Sequence, residues 1–438
     1  MASIPADSGA LTAPVAKAAR IDSLDILRGV AVFGILMMNI TAFGLLSQAY
    51  DNPLADGGAS GWNLTAWKII NVGFEGTMRG IFSLLFGAGI VLLTERMERA
   101  GAGIMAAEIH FRRMLWMMLA GVIHWTLLLW YGEILFAYSL CGMLLFALRK
   151  MPAKTHLIMA AVLLAGSVGM NYARSVGVAE AQVAAAQADA AKAAGQTLTK
   201  EQEAAIEGWQ EENLHIMPSP ELATEMRGWH SGSYWNAVTG QFPSSYDFQW
   251  TGSPYWLFFD MVPFMLIGMA LLRLGVLSAE LGTKTYLAMM GAGYAIGLTL
   301  GLREMNIVLA SNFTLPGFAE AGETYQFSRL AMVVGHLGLL LLVIRSGALG
   351  WLQRALGAVG QMALTNYLMQ TVICTALFYG FGFGLYSQFE RYQLYGVVAA
   401  IWLVELIWSP LWQARFKFGP FEWVWRSLTY WQRQPMRV

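Results

Sequence analysis

The chain is a succession of apolar runs, most of them about as long as a membrane-crossing helix, and this pattern limits its possible folds more than any other feature. A helix needs about 20 apolar residues to cross the hydrocarbon core of a bilayer. Ten segments approach or meet that length, near residues 24–46, 67–93, 113–131, 133–149, 156–173, 254–272, 285–302, 327–344, 357–380 and 392–412. Hydrophobic residues make up 56% of the 438 and charged residues 13%, against about 25% charged in a soluble domain. The sequence therefore predicts an all-α, polytopic membrane protein with about ten transmembrane helices.

Charge placement orients the expected spans. Lys+Arg and Asp+Glu are equal in number, so no basic surface argues for nucleic acid, and the position of each charge carries the information. With the N-terminus inside, most Lys and Arg fall on the cytoplasmic side, among them Arg96, Arg99, Arg112, Arg113, Arg149, Lys150 and Lys154. The expected topology has both termini cytoplasmic. It comprises a tail at 1–20 containing Lys17 and Arg20, a first five-helix bundle at 21–173, an extracytoplasmic insert at 174–253, a second five-helix bundle at 254–414, and a cytoplasmic interfacial segment at 415–438. The first apolar run is too long for a signal-peptide core and lacks a clear small-residue cleavage site, so an uncleaved first helix is expected. The insert opens with an Ala-, Gln- and Glu-rich stretch that favours helix and ends in GWHSGSYWNAVTGQFPSSYDFQW, whose aromatic residues suit a lid at the membrane interface. A plain spacer between the bundles is the alternative.

Ionisable and amide groups inside apolar runs are costly and mark candidate sites. In the first run, Arg28 and Asn39 share a helix face about 16 Å apart along the axis; Asp25 and Arg28 could equally form a capping ion pair. In GFEGTMRGIFSLLFGAG, Glu75, Arg79 and Ser83 recur every four residues. Arg79 lies near mid-membrane, so either it pairs with Glu75 or the two serve a bound group. VIHWTLLLWYGEILFAY places His124 about two turns below a tight hairpin expected at Tyr131–Gly132, with Glu133 at the turn. By helical rise Asn39, Glu75 and His124 share one depth, about 10 to 12 Å in. An imidazole there can take and return a proton near neutrality. Thr365, Asn366 and Gln370 lie near mid-membrane in GQMALTNYLMQ, either as interhelical glue or as substrate contacts. His336 has no polar companion in its run and reads as a core residue, and Glu405 is expected to be protonated or paired. Cys141 and Cys374 lie inside apolar runs, which argues against a disulfide or thiolate-metal site; no metal is expected. There is no P-loop, HExxH or GxSxG, and GFGFG at 380–384 follows a helix rather than a strand.

The stretches LDILRGVAVFGILMMNITAFGL, FSLLFGAG, VIHWTLLLWYGEILFAYSLCG, GQMALTNYLMQTVICTALFY and FGPFEWVWRSLT, in that order, resemble the YeiB family of bacterial inner-membrane proteins over most of the chain outside the tail and insert. The resemblance implies a multi-pass protein of the bacterial inner membrane. It also implies a remote link to transmembrane acyltransferases, the lysosomal heparan-glucosaminide acetyltransferase and bacterial membrane O-acyltransferases among them. These are similar in a first helix where Asn or His follows an arginine by eleven positions, matched here by Arg28 and Asn39. No relative's catalytic histidine transfers by position, and His124 is a candidate on its own depth.

The expected activity is transfer of an acyl group, acetyl in the first instance, from cytoplasmic acyl-CoA to an extracytoplasmic hydroxyl or amine on a small-molecule or glycan acceptor. Arg28, Arg112 and Arg113 would hold the CoA phosphates. His124 would act as base or acyl carrier, Asn39 as oxyanion donor, Glu75 and Arg79 as polar wall, and Glu133, Asn366 and Gln370 as substrate contacts. Membrane lipids and a second copy of the chain are the other expected partners. The rival expectations are a transporter or flippase for a small anion or lipid-linked substrate, signalled by broken helices in both halves, and a non-catalytic lipid- or quinone-binding scaffold.

Overall fold

A computed structural model describes residues 21–252 and 255–438; the tail with Lys17 and Arg20 lies outside the described residues. The helices are α1 (Asp22–Gly44), α2 (Gly61–Phe74), α3 (Thr77–Arg99), α4 (Met105–Thr126), α5 (Leu135–Leu148), α6 (Ala153–Ala193), α7 (Lys200–Leu214), α8 (Pro220–Ser231) and α9 (Tyr234–Trp250). After a π-helical turn at Trp256–Met261 follow α10 (Val262–Arg273), α11 (Thr283–Ala310), α12 (Leu315–Gly322), α13 (Tyr325–Ser346), α14 (Gly350–Gln361), α15 (Ala363–Phe378), α16 (Arg391–Gln413) and α17 (Pro420–Tyr430). Among the described residues the only β pairing is a bridge between Phe416 and Arg437.

Among the described residues six helical stretches are long and apolar enough to cross a membrane: α1, α2 with α3, α6, α11, α13 and α16. They make the chain a multi-pass membrane protein by length and composition. α5 and α15 are apolar but shorter. The runs expected at 67–93 and 357–380 are each interrupted. Gly76 takes φ 65° and ends α2 against α3, a conformation an L side chain adopts at a cost, and Met362 divides α14 from α15. The run at 254–272 begins as the π turn. The tight hairpin expected at Tyr131–Gly132 is instead an irregular connection over residues 127–134, because α4 stops at Thr126 and α5 starts at Leu135.

The expected boundary at 173/174 is also not a structural one. α6 runs through it as a single helix of 41 residues, about 60 Å long and roughly twice the thickness of a hydrocarbon core. Its C-terminal half is the Ala-rich stretch whose propensity favours helix in water.

The halves of the chain interleave. One buried cluster draws Leu27, Ile40, Leu84, Phe264, Leu337 and Phe378 together from both. α3 crosses α10 where Gly87 faces the Met265 carbonyl and Gly268 faces the Leu84 carbonyl, so closely that a Cβ at either glycine would collide with backbone. Backbone cannot swing aside as a flexible side chain can. Gly268→Val is therefore expected to destabilise the bundle by about 1–3 kcal/mol, the usual range for overpacking, read as a lower Tm in detergent; an unchanged Tm would mean that the crossing is looser than described.

Candidate functional site

The bundle encloses a cavity at each end of α1. At the C-terminal end of α1 a cavity of about 690 Å³ is lined by Asn39, Tyr50, Asp51, Glu75, Arg79, Glu133, Asp247, Asp260, Glu304, Tyr325 and Arg329, with Trp229 and His230 of α8 and Phe248 and Gln249 of α9. At the N-terminal end a cavity of about 300 Å³ is lined by Arg28, Arg96, Arg113, Lys417 and Arg426, facing Asp25 and Glu422.

The larger cavity is roofed by α8 and α9 of the insert. α9 lies along the irregular 127–134 connection, whose carbonyls need partners once buried. Gln241 Nε2 donates to Leu129 O (3.0 Å), Gln249 Nε2 to Glu133 O (2.9 Å) and Tyr234 Oη to Leu127 O (2.7 Å). α8 is clasped by Gly380 N donating to His230 O at 2.7 Å, and the His230 ring stacks on Tyr386 with centroids 4.1 Å apart. Burial lowers the His230 imidazole to about 4, so this clasp is neutral around pH 7.

One wall of the roofed cavity is an ion cluster. Asp260, in the π turn, receives Arg79 through Nε–Oδ2 at 2.8 Å and Nη2–Oδ1 at 3.2 Å, and Arg329 through both Nη atoms. Arg329 Nε donates to the Gly76 carbonyl at 2.9 Å, and its guanidinium lies 4.4 Å from the Phe264 ring centroid. The side chains of Asp260 and Arg329 are 1% and 0% exposed. Charges this deep persist only when paired and hydrogen-bonded.

Arg79 thus pairs with Asp260 rather than with Glu75. The break at Gly76 puts Glu75 at the end of α2, so Glu75, Arg79 and Ser83 do not form one helical stripe. Asp260 and Arg329 escaped the sequence analysis, although the rule that selected Arg79 applies to them equally: each is a charge inside an apolar run. Asp51 was missed as well. It follows a 3-10 turn at Ser47–Tyr50 after α1 and lines the roofed cavity, and the surrounding protein, then the charge of Glu75, raise its carboxyl to about 7.

The other expected site residues divide. Asn39, Glu75, Arg79 and Glu133 line the roofed cavity; Arg28 and Arg113 line the basic one. His124 lines neither. Its side chain is 0% exposed, with Nε2 2.9 Å from Thr371 Oγ1 and Nδ1 3.6 Å from Glu133 Oε1. A base must come within hydrogen-bond reach of the proton it takes, and His124 is sealed behind Tyr367, whose ring it meets edge-on at 4.9 Å. Glu133 is not at a watery turn; its carboxylate accepts from the Leu135 and Phe136 amides and closes the N-terminus of α5. Arg28 also pairs with Asp25 at 3.0 Å, as the capping alternative had it. Arg112 leaves the basic cavity, since it pairs with Glu108, donates to Thr429 O at 3.0 Å and lies over Trp431.

Asn366 and Gln370 are interhelical ties rather than cavity residues. Asn366 Nδ2 donates to Ser409 Oγ at 3.2 Å and Gln370 Nε2 to Glu405 Oε2 at 3.1 Å, joining α15 to α16 and giving Glu405 its partner. The His336 ring packs between Phe74 and Tyr294. Cys141 and Cys374 are free and buried. Lys417 and Arg426 reach the basic cavity because the C-terminal segment folds back under it; Glu422 of α17 accepts from the Leu364 and Thr365 amides at 2.7 and 3.0 Å.

An all-helical, multi-pass protein with a roofed polar cavity and a separate basic one is the class that these features define. The chain belongs to the family of YeiB and YxaH. It is 31% identical over 430 residues to "Uncharacterized protein YeiB" of Escherichia coli (strain K12), covering 93% of this chain and 95% of that one. It is 28% identical over 438 residues to "Uncharacterized protein YxaH" of Bacillus subtilis (strain 168), covering 95% and 96%. Residues 271–432 match the family model described as "Protein of unknown function (DUF418)". No solved structure matches the chain. Neither relative's name states an activity.

Removing Asp260 from the ion cluster leaves two buried arginines without a counter-charge, and breaking a buried pair in this way costs about 3–5 kcal/mol. Asp260→Asn is expected to lower the Tm steeply, and Arg329→Met, which leaves Asp260 paired with Arg79, to lower it by less. A shift no larger than that of an exposed control such as Arg174→Met would show that the cluster does not hold the bundle together.

Proposed function

We propose that this protein is a membrane acyltransferase of the bacterial inner membrane, with ten crossings, both termini cytoplasmic and the insert on the outer face. It takes an acyl group, acetyl in the first instance, from cytoplasmic acyl-CoA and passes it to a hydroxyl or amine of a small-molecule or glycan acceptor. The observation that carries the reading is the pairing of cavities: a basic one at the N-terminal end of α1 and a polar, aromatic-walled one beneath the insert.

In this reading Arg28, Arg96, Arg113 and Lys417 hold the donor's phosphates, for which guanidinium offers a bidentate fork and lysine a point charge. The acceptor occupies the roofed cavity. Because His124 is walled off, the proton acceptor is assigned to Asp51 with Glu75 beside it, a carboxyl at about 7 being well matched to general-base work at neutral pH. The acceptor's O–H or N–H proton passes to the Asp51 carboxylate as its oxygen or nitrogen bonds to the thioester carbonyl carbon. Asn39 donates to the oxygen where charge develops. The C–S bond then breaks, and the leaving thiolate takes up a proton to become free CoA.

One observation favours the transporter. The chain breaks at Glu75–Gly76 in the first half and at the Trp256–Met261 turn and Met362 in the second, as discontinuous helices of transporters do. In such a protein the same charges would line a path.

Incubation of the purified protein with radiolabelled acetyl-CoA separates the two. Acyl transfer requires CoA to raise the Tm and acetyl-CoA to be turned over. Arg113→Ala and Lys417→Ala should each weaken CoA binding about tenfold to a hundredfold, the equivalent of a charge-assisted hydrogen bond of about 1.5–3 kcal/mol. The absence of both CoA binding and turnover would sink the reading.

The rate should climb as pH rises through about 7, because a general base acts when deprotonated, and then level off. Asp51→Asn should abolish that limb. A profile flat from pH 6 to 8, or one unchanged in Asp51→Asn, would remove the carboxyl from this role.

A further inference from the structure

We propose that Tyr367 is the partition between the two cavities, held shut by His124, and that its displacement joins them into one passage across the protein. Among the described residues Tyr367 is the only one that lines both. The wall around it is thin. On α3, Met78 faces the roofed cavity and Phe82 the basic one, about one helical turn or 6 Å of rise apart. On α5 the alternation is closer still: Ala137 lines the roofed cavity and its neighbour Tyr138 the basic one, as Ile134 and Leu135 do in the turn before.

This assignment accounts for an imidazole that touches neither cavity. His124 meets the Tyr367 ring edge-on, centroids 4.9 Å apart and planes at 80°. Its Nε2 is held by Thr371 at 2.9 Å, one turn further along α15, and its Nδ1 stands 3.6 Å from Glu133, which is itself fixed on the amides that open α5. The imidazole therefore spans the gap between α4, α5 and α15 and backs the tyrosine ring. A polar clamp suits this place better than an aliphatic side chain because its hydrogen bond to Thr371 fixes an orientation, which dispersion alone does not. His124 is thereby a positioning residue, and Tyr367 the element that moves. Unlike the assignment of acyl transfer, the inference would hold equally for a transporter.

The test reads accessibility rather than activity. In full-length protein with Cys141→Ala and Cys374→Ala, Ser47→Cys places a thiol in the roofed cavity wall. A charged, membrane-impermeant methanethiosulfonate is then applied to vesicles of each orientation. With Tyr367 present the thiol should react from the insert face alone. Tyr367→Ala should raise its reaction rate from the opposite face by about tenfold or more, equivalent to about 1.4 kcal/mol. Tyr367→Phe, which keeps the ring, should not; His124→Ala should give a smaller rise.

Two results would overturn the proposal: Tyr367→Ala that still reacts from the insert face, and so is folded, yet stays silent from the other; or a parent protein that reacts equally from both. Should Tyr367→Ala not fold, Tyr367→Cys in the same background decides the matter. A thiol in both walls reacts from both faces, and reaction from one face alone refutes the shared position.

Discussion

The carboxylate of Asp260 between the guanidinium groups of Arg79 and Arg329 is the interaction on which the rest of the arrangement depends. It ties α3, the π turn before α10 and α13 to one point, and Arg329 adds a second donor to the Gly76 carbonyl, which also accepts from Gly80 N where α2 gives way to α3. A broken helix inside apolar surroundings must find partners for its freed backbone groups. Here the Gly76 carbonyl is met by both Gly80 N and an arginine, and the break is what lets Glu75 and Arg79 face the same cavity from different helices. Two arginines on one carboxylate leave a net positive wall in a cavity that Asp51, Glu75 and Asp247 also line.

How far the sequence alone reveals this molecule depends on how local each determinant is. α1 and α16 were legible because their apolar runs are unbroken and their ends fall where the runs end. α6 was legible as helix on both sides of residue 173, by apolarity on one and by Ala-rich propensity on the other. Its continuity was not, since a change of hydropathy is a change of solvent and not a helix stop signal. The breaks at Gly76 and Met362 were overlooked because apolar character continues across them.

The site was less legible than the fold, for a related reason. Depth from a helix end, counted by rise, placed Asn39, Glu75 and His124 in one layer, but it holds no information on which way a side chain turns. Two of the three face the cavity and His124 turns away, since Thr371 and Glu133 offer it partners behind the wall. Asp260 and Arg329 could have been found by treating every charge inside an apolar run alike. The approach of Lys417 and Arg426 to the basic cavity could not, because it depends on the C-terminal segment folding back beneath α4 and α15, a contact between residues far apart in the chain.

The 41-residue length of α6 has a mechanical corollary. One uninterrupted rod runs from an apolar first half into an Ala-rich second half and packs through Val178 on Leu315 and Ala319 of α12, so its two ends cannot reorient independently. Helix tilt responds to bilayer thickness, and over about 60 Å a tilt of about 5° displaces the far tip by about 5 Å, comparable with one helical pitch. The thickness of the surrounding lipid is thereby geared to the position of α12, whose Phe318 and Ala321 line the polar chamber.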